Sequence, residues 1–319
     1  TLDIIYGKVR YFETQTEQLG DIYDPIDWSG KTADLLNTLT VGSPIPNPGA
    51  FVRKSLYQRI GGYAPHFQRA EDYEFWTRAA SSATMKKLDD FVCQYRIHAD
   101  NVSFGDLVDL SYESKVIRNL LGRYDLRELF SKLDWRQPRQ AETRARLQIA
   151  RSFLKYDDYY NATKTLESIA VEQLTPEIIE LLLKTYLCMG DTVQINDRLP
   201  VWAAAGKIDQ QVLTRYAANL HQYRALLTRA NECLTQKNFS EAQAILRQGH
   251  QQYGHTPDLL MLMAQGAWQQ GDWLNCFNLK KAVHCAPADH RLVQLALSMT
   301  RSEPQKQEIL AIQKRLLES

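Results

Sequence analysis

The residues best suited to chemistry in this 319-residue chain are crowded between positions 47 and 103. Glu71-Asp72 sets two carboxylates at the start of an expected helix, where free backbone N–H groups and the helix dipole favour negative charge. One well-placed carboxylate there takes a proton from a bound hydroxyl; the plainer reading is that an acidic pair simply opens a helix. Asn47-Pro48-Gly49-Ala50 reads as a turn entering a strand, and Gly49, lacking Cβ, also lets the backbone approach a ligand. His98 ends a strand-like segment in Tyr95-Arg96-Ile97-His98, where a lone histidine is usually a hydrogen-bonded surface residue. Arg53 and Arg96 place positive charge at strand ends, and Tyr73 and Trp76 follow the carboxylates as groove-lining or core aromatics.

The elements that must hold these groups alternate in type. A strand at 3–13 precedes a polar stretch from Tyr23 to Gly30, a short helix near 31–39, and a Gly42 to Gly49 loop with three prolines. A strand over Ala50–Arg53, a helix from Lys54 to Ile60, a helix opening near Glu71 and two short strands at 84–88 and 91–97 follow. Such alternation predicts an α/β domain over 1–104. From Gly105 the apolar residues recur at helical spacing only. A bridging segment over 105–124, with a helix at 105–121, is expected to lead into an all-helical domain over 125–319.

Taken in order, Asn47-Pro48-Gly49-Ala50, Gly61-Gly62-Tyr63, Ala70-Glu71-Asp72-Tyr73-Glu74-Phe75-Trp76, Tyr95-Arg96-Ile97-His98 and Asn101-Val102-Ser103 resemble the acceptor-side half of a family-2 glycosyltransferase with the GT-A fold. The resemblance covers about the first third of the chain. It implies a partial GT-A, Rossmann-like layer and transfer of a sugar from a nucleotide-sugar donor to a hydroxyl of a glycan, lipid or protein, with inversion. It makes Asp72 the general base and Glu71 an orienting or acceptor-binding neighbour. It implies substrate contacts at Asn47, Pro48, Gly49, Ala50, Arg53, Trp76 and Arg96, the arginines toward the diphosphate. His98 would complete a Mn or Mg site, the metal stabilising the departing diphosphate.

The donor half of such an enzyme ends in Asp-x-Asp, and no such triplet occurs here. The chain begins at Thr1, already within a strand-like run. It is therefore expected to be a fragment whose donor half is absent, inactive on its own, with His98 a weak metal site in isolation.

In the helical part, Ala150, Tyr159 and Ala162 are spaced like Ala230, Phe239 and Ala242, and like Ala264, Trp273 and Cys276. The last two sets are offset by 34 residues, a period that resembles the tetratricopeptide repeat. About four helix pairs are expected, Gly190-Asp191 marking a degenerate turn and the third pair irregular. The resemblance implies a solenoid whose concave face takes a protein partner.

Lys and Arg number 38 and Asp and Glu 37, a balance that gives no electrostatic reason for a nucleic-acid or anionic-membrane partner. No apolar run approaches the ~20 residues of a membrane span. Five cysteines, at 93, 188, 233, 276 and 285, form no C-x-x-C pair and read as reduced thiols. The expected location is cytoplasmic or peripheral to the inner face of the membrane. The Gln-x-x-Arg-Trp motif of processive synthases is absent. The competing reading, from another class, is a non-catalytic tetratricopeptide interaction scaffold with a degenerate α/β portion.

Overall fold

The computed structural model describes residues 2–13, 19–97, 109–254, 256–271, 276–300 and 302–317, with residues 276 and 277 described by backbone alone. The chain divides into two compact units, Thr1–Ala145 and Arg146–Ser319.

The first unit carries a four-stranded mixed sheet with helices around it. Its central strand is β1 (Ile4–Glu13), on which Ile4, Tyr6 and Val9 are buried while Ile5 and Lys8 are more open, the alternation of a half-buried strand. β2 (Leu19–Tyr23) and β3 (Ala50–Val52) pair antiparallel with the second and first halves of β1, respectively. β4 (Met85–Ile97) runs parallel to β1 along its whole length. The two strands expected at 84–88 and 91–97 are thus one. Its register slips between Tyr6 and Lys8, so that Asp89 and Asp90 form an irregular bulge instead of ending a strand. Gly7 permits this: a Cβ there would lie 2.9 Å from the Asp90 carbonyl oxygen and 2.7 Å from Val92. β2, with four of its five residues exposed and the fifth half-buried, carried no strand signal in the sequence.

Helices α1 (Thr32–Leu39), α2 (Lys54–Ile60) and α3 (Glu71–Ala79) lie where the apolar spacing puts them. Helix α4 (Ser111–Arg123) falls in the segment expected to bridge two domains, yet it packs on α3 and belongs to the first unit. The reason is its apolar stripe: Tyr112, Val116, Ile117 and Leu120 recur at helical spacing and are buried. Burying each such side chain contributes about 1.5–3 kcal/mol. Helix α5 (Leu126–Leu129) is held by a reciprocal cap between Asp125 and Glu128, and the unit runs on into helix α6 (Pro138–Lys155).

The second unit is entirely helical among its described residues: the rest of α6, then α7 (Tyr159–Glu167), α8 (Pro176–Cys188), α9 (Thr192–Ala204), α10 (Gln210–Thr235), α11 (Phe239–Tyr253), α12 (Pro257–Gln269), α13 (Cys276–Cys285), α14 (His290–Met299) and α15 (Glu303–Leu317). One turn recurs. Asp157, Gly190, Lys237 and Gly271 each take a left-handed conformation, with φ between 53 and 80°. They close the α6–α7, α8–α9 and α10–α11 connections and follow α12. Asp158 and Asp191 then cap their helices by accepting from Asn161 and Gln194 backbone N–H groups, and Asn238 stands at the same place before α11. Ala150, Ala162, Ala230 and Ala242 are fully enclosed and Ala264 nearly so, which lets paired helices approach closely. Trp273 lies outside the described residues.

This helical array meets itself. The Lys281 ammonium on α13 pairs with the Asp157 carboxylate in the α6–α7 turn. His284 Nε2 lies 2.9 Å from the Tyr156 carbonyl oxygen, and Asn161 Nδ2 donates to the Leu316 carbonyl at 3.2 Å. Tyr159 is buried in one cluster with Ala264, Leu279, Ala282, Val283 and Ile309. No described helix is long and apolar enough to cross a membrane.

Candidate functional site

Helix α3 enters through an unusual residue. Ala70 is left-handed, at φ 55° and ψ 23°, and offers no side-chain cap. A non-glycine residue in that region is strained, by roughly 1–3 kcal/mol. The acidic first turn, Glu71, Asp72 and Glu74, compensates the uncapped N–H groups electrostatically. The rest of α3 anchors it: Tyr73, Phe75, Trp76 and Ala79 are buried, and the Tyr73 hydroxyl donates to the Leu39 carbonyl at 2.5 Å.

Asp72 is half-buried, and its Oδ1 accepts from the Tyr73 backbone N–H at 2.7 Å. Burial pushes its carboxyl up to about 6, with the Glu71 charge adding to the rise and hydrogen bonds to backbone N–H groups opposing it. A carboxylate tuned this way accepts a proton more readily than an exposed aspartate while staying mostly ionised at neutral pH.

The Gly61-Gly62-Tyr63 loop is fastened to the same helix. Arg78 on α3 donates to the carbonyls of Ile60, Gly61 and Gly62 at 2.6, 3.0 and 2.7 Å. Its guanidinium also holds the Glu74 carboxylate through Nε and Nη2, the latter at 2.7 Å, and Glu74 is buried. Gly61, at φ 85°, supplies the conformation the turn requires. This clamp seats Tyr63 edge-on against Tyr57 and Phe75, with ring centroids 5.9 and 5.5 Å apart. The Tyr63 hydroxyl donates to Asn47 Oδ1 at 3.0 Å. Burial, Tyr57, and the charges of Asp72 and Glu71 all raise the Tyr63 hydroxyl well above the ordinary tyrosine value. Three motifs separated in sequence, at Asn47, Tyr63 and Glu71-Asp72, therefore converge.

Other expected residues are placed differently. Gly49 is buried, and a Cβ on it would lie 2.6 Å from Val9 Cγ2. Its missing side chain makes room for β1, so the close approach it allows is to the protein's own strand. Pro48 is exposed beside it, and Ala50 is the residue opposite Tyr6 in the β1–β3 ladder. Trp76 is 1% exposed and packs edge-on to Phe75, a core residue where a groove-lining one was expected. Arg53, past the far end of β3 from Asn47, donates from Nε to the Leu2 carbonyl at 2.9 Å. Arg96 stands opposite Phe12, its guanidinium 6.0 Å from that ring centroid. The structure ties neither arginine to the carboxylates. His98 and Asn101-Val102-Ser103 lie outside the described residues.

Two site residues went unread in the sequence. The first turn of α4 docks on the segment entering α3: Tyr112 donates to Gln68 Oε1 at 3.3 Å, and Glu113 Oε1 lies 3.9 Å from Arg69 Nη2. Glu113 Oε2 is buried without a hydrogen-bond partner. Burial raises the Glu113 carboxyl, a hydrogen bond from its own backbone N–H and then Arg69 oppose the rise, and the charges of Asp109 and Asp72 reinforce it. Nothing local marks Glu113, because its pairing with Arg69 exists only once α4 packs on α3.

For the Mn or Mg implied by the resemblance, the described residues offer no cluster of three His, Cys, Asp or Glu side chains able to hold an ion. A separate hollow of about 470 Å³ lies in the helical unit, lined by Tyr160, Lys164, Glu167, Tyr186 and Gln194 among others. Comparison with protein-family models, curated proteins and solved structures returned no match.

Proposed function

We propose that the first unit is the acceptor side of an inverting, family-2-like glycosyltransferase of GT-A type, with Asp72 as the base that deprotonates an acceptor hydroxyl. The observation that carries this reading is the convergence of Asn47, Tyr63 and Asp72 around the uncapped start of α3. In sugar transfer with inversion, the acceptor oxygen attacks the anomeric carbon opposite the leaving nucleoside diphosphate. Its proton must leave as that bond forms. Asp72 takes the proton, Glu71 orients the acceptor, and the Asn47–Tyr63 pair frames the opening. The nucleotide-sugar, the divalent ion and the acceptor belong to the whole enzyme of which this would be one part.

For the second unit we propose a tetratricopeptide-like repeat that docks a protein partner. The recurring left-handed turn with its Asp or Asn cap, and the enclosed alanines on paired helices, support that reading. The hollow between Tyr160 and Gln194 is the concave feature such a partner would use.

The decisive assay is acceptor-dependent release of nucleoside diphosphate from a panel of nucleotide sugars, by the full-length gene product, beside its Asp72→Asn variant. Release abolished by the substitution supports the transferase. Release unaffected by it, or absent for every donor, favours a scaffold whose α/β portion no longer catalyses.

A further inference from the structure

The hollow of about 470 Å³ in the helical unit is walled by α7, by the turn from α8 into α9 and by the turn from α13 into α14. Three carboxylates line it, Glu167, Asp191 and Asp289, against one cation, Lys164. That cation is engaged elsewhere: its ammonium lies over the Tyr160 ring, 4.4 Å from the centroid, and pairs with none of the three. Glu167 is partly compensated, since Oε1 accepts from the Tyr186 hydroxyl at 2.6 Å and lies 3.4 Å from Arg198 Nη2. Asp191 and Asp289 are not. Each uses Oδ1 to cap a helix, Asp191 accepting from the Gln194 N–H at 3.1 Å and Asp289 from the Arg291 and Leu292 N–H groups at 3.0 and 3.1 Å. Neither makes an ion pair with a described residue, and each retains a second oxygen. A fourth carboxylate, Asp258, stands behind the wall, its Oδ2 3.2 Å from where a Cβ on Gly190 would lie. The hollow therefore joins a tyrosine ring to negative charge that the fold does not balance.

We propose that this hollow receives an arginine side chain from the protein segment that the second unit docks. The guanidinium is the basic group that suits it: its planar fork meets carboxylate oxygens two at a time and stacks on aromatic rings, whereas an ammonium is a compact point charge. The size agrees, since about 470 Å³ stands toward the small end of the roughly 300–1,000 Å³ of ligand cavities and suits side chains of an extended segment. A segment presenting an acidic side chain would meet Asp191 and Asp289 with no free cation to answer it. The charges that attract one partner thus turn away the other. This inference rests on the partner-docking reading of the second unit and adds the chemistry of the partner.

The test is selection of short random-sequence peptides from a displayed library on the full chain, followed by fluorescence anisotropy of the selected peptides. Its variant is Asp191→Asn combined with Asp289→Asn, because asparagine caps a helix about as well as aspartate and only the charge is lost. The selected peptides should share an arginine. Their affinity should fall about tenfold in the double variant, the combined worth of two exposed charge pairs, and should weaken with salt. Replacing the peptide's arginine by citrulline, which keeps the shape without the charge, should cost about as much and reports on the pocket even where the double variant folds poorly. Peptides that lack a basic residue, or that bind the double variant or tolerate citrulline undiminished, overturn the arginine pocket and leave the docking reading in place. Spermidine that binds as tightly as the peptide would show that bare charge is read, and overturns it too. Selection of no peptide at all overturns the pocket and the docking reading together.

Discussion

The Tyr63 hydroxyl donates to the Asn47 side-chain oxygen across 3.0 Å and so joins two motifs that lie sixteen residues apart in the chain. Both belong to loops, but neither is loosely held. Asn47 leads into β3 through a tight turn whose Gly49 lies against Val9, and Tyr63 is pinned by Tyr57, Phe75 and the Arg78 clamp. Rigid elements holding polar loop residues is the arrangement a site needs.

Asp72→Asn should trade activity for stability. Loss of the base lowers acceptor-dependent turnover by roughly 10²–10⁴-fold while donor binding barely changes. Folding raises the Asp72 carboxyl from 3.8 to about 6, so the folded state binds this proton more tightly than the unfolded state does. Its effect on stability therefore becomes less favourable as pH rises from about 4 to about 6, then stays constant above. The amide should be more stable than wild type at pH 7 by on the order of 1–3 kcal/mol, with little difference at pH 3.5. Urea unfolding at the two pH values checks this, and an amide variant less stable at pH 7 would contradict it.

Arg78→Met should be costly. It removes three bonds to the Ile60, Gly61 and Gly62 carbonyls and leaves the Glu74 carboxylate, whose side chain is 5% exposed, with only Arg123 at 3.7 Å. Breaking one side of such a buried pair costs about 3–5 kcal/mol. Glu74→Gln combined with Arg78→Met should recover part of the loss, because the stranded charge is gone. Equal stability of the single and double variants in urea would remove the clamp's electrostatic basis.

Ala264→Leu should cost about 1–3 kcal/mol by forcing α12 away from the neighbours that enclose it. Gln269→Leu, at an exposed position of the same helix, is the matched control and should change little. Gln265 is half-buried and serves less well. Thermal unfolding that falls equally in both variants would break the proposed repeat register.

Lys281→Met should open the junction between α13 and the α6–α7 turn. Burial alone would raise the Asp157 carboxyl, but Lys281 and the Tyr159 hydroxyl overcome this and hold it below the ordinary value. The stabilising contribution is thus present above about pH 4 and is lost as pH falls through the lowered folded value. The methionine variant should lose on the order of 1–3 kcal/mol at pH 7 and converge on wild type in acid. A constant gap across pH in guanidinium unfolding would show that the ion pair is not its source.

Helices α1, α2 and α3 and strand β1 were legible because their patterns are local: β1 alternates, and the helices repeat apolar residues every three or four positions. The break between Ile60 and Glu71 was legible too, since Gly61 and Gly62 forbid helix continuation. What sequence could not supply is whatever depends on long-range packing. Trp76 and Phe75 are chemically alike in a string and both are sealed in the core, yet it is Phe75 whose ring also meets Tyr63. Gly49 offered space without saying who would fill it, and Val9 does. Glu113 came to face Arg69, two residues before helix α3, only through the stripe on α4 that packs it there.

The contact of Lys281 with Asp157 has a consequence for how the second unit can change over evolutionary time. An open stack of helix pairs gains or loses a pair at either end at little cost, and it melts by fraying from those ends. Here the last pairs are fitted against the first, with Asn161 bound to Leu316 as well. Adding or deleting one pair of helices between them would carry Lys281 away from its partner and uncover Tyr159. The number of pairs is thereby locked, and the unit should unfold in a single step, more like a ring from which no link can be taken than like a chain that shortens.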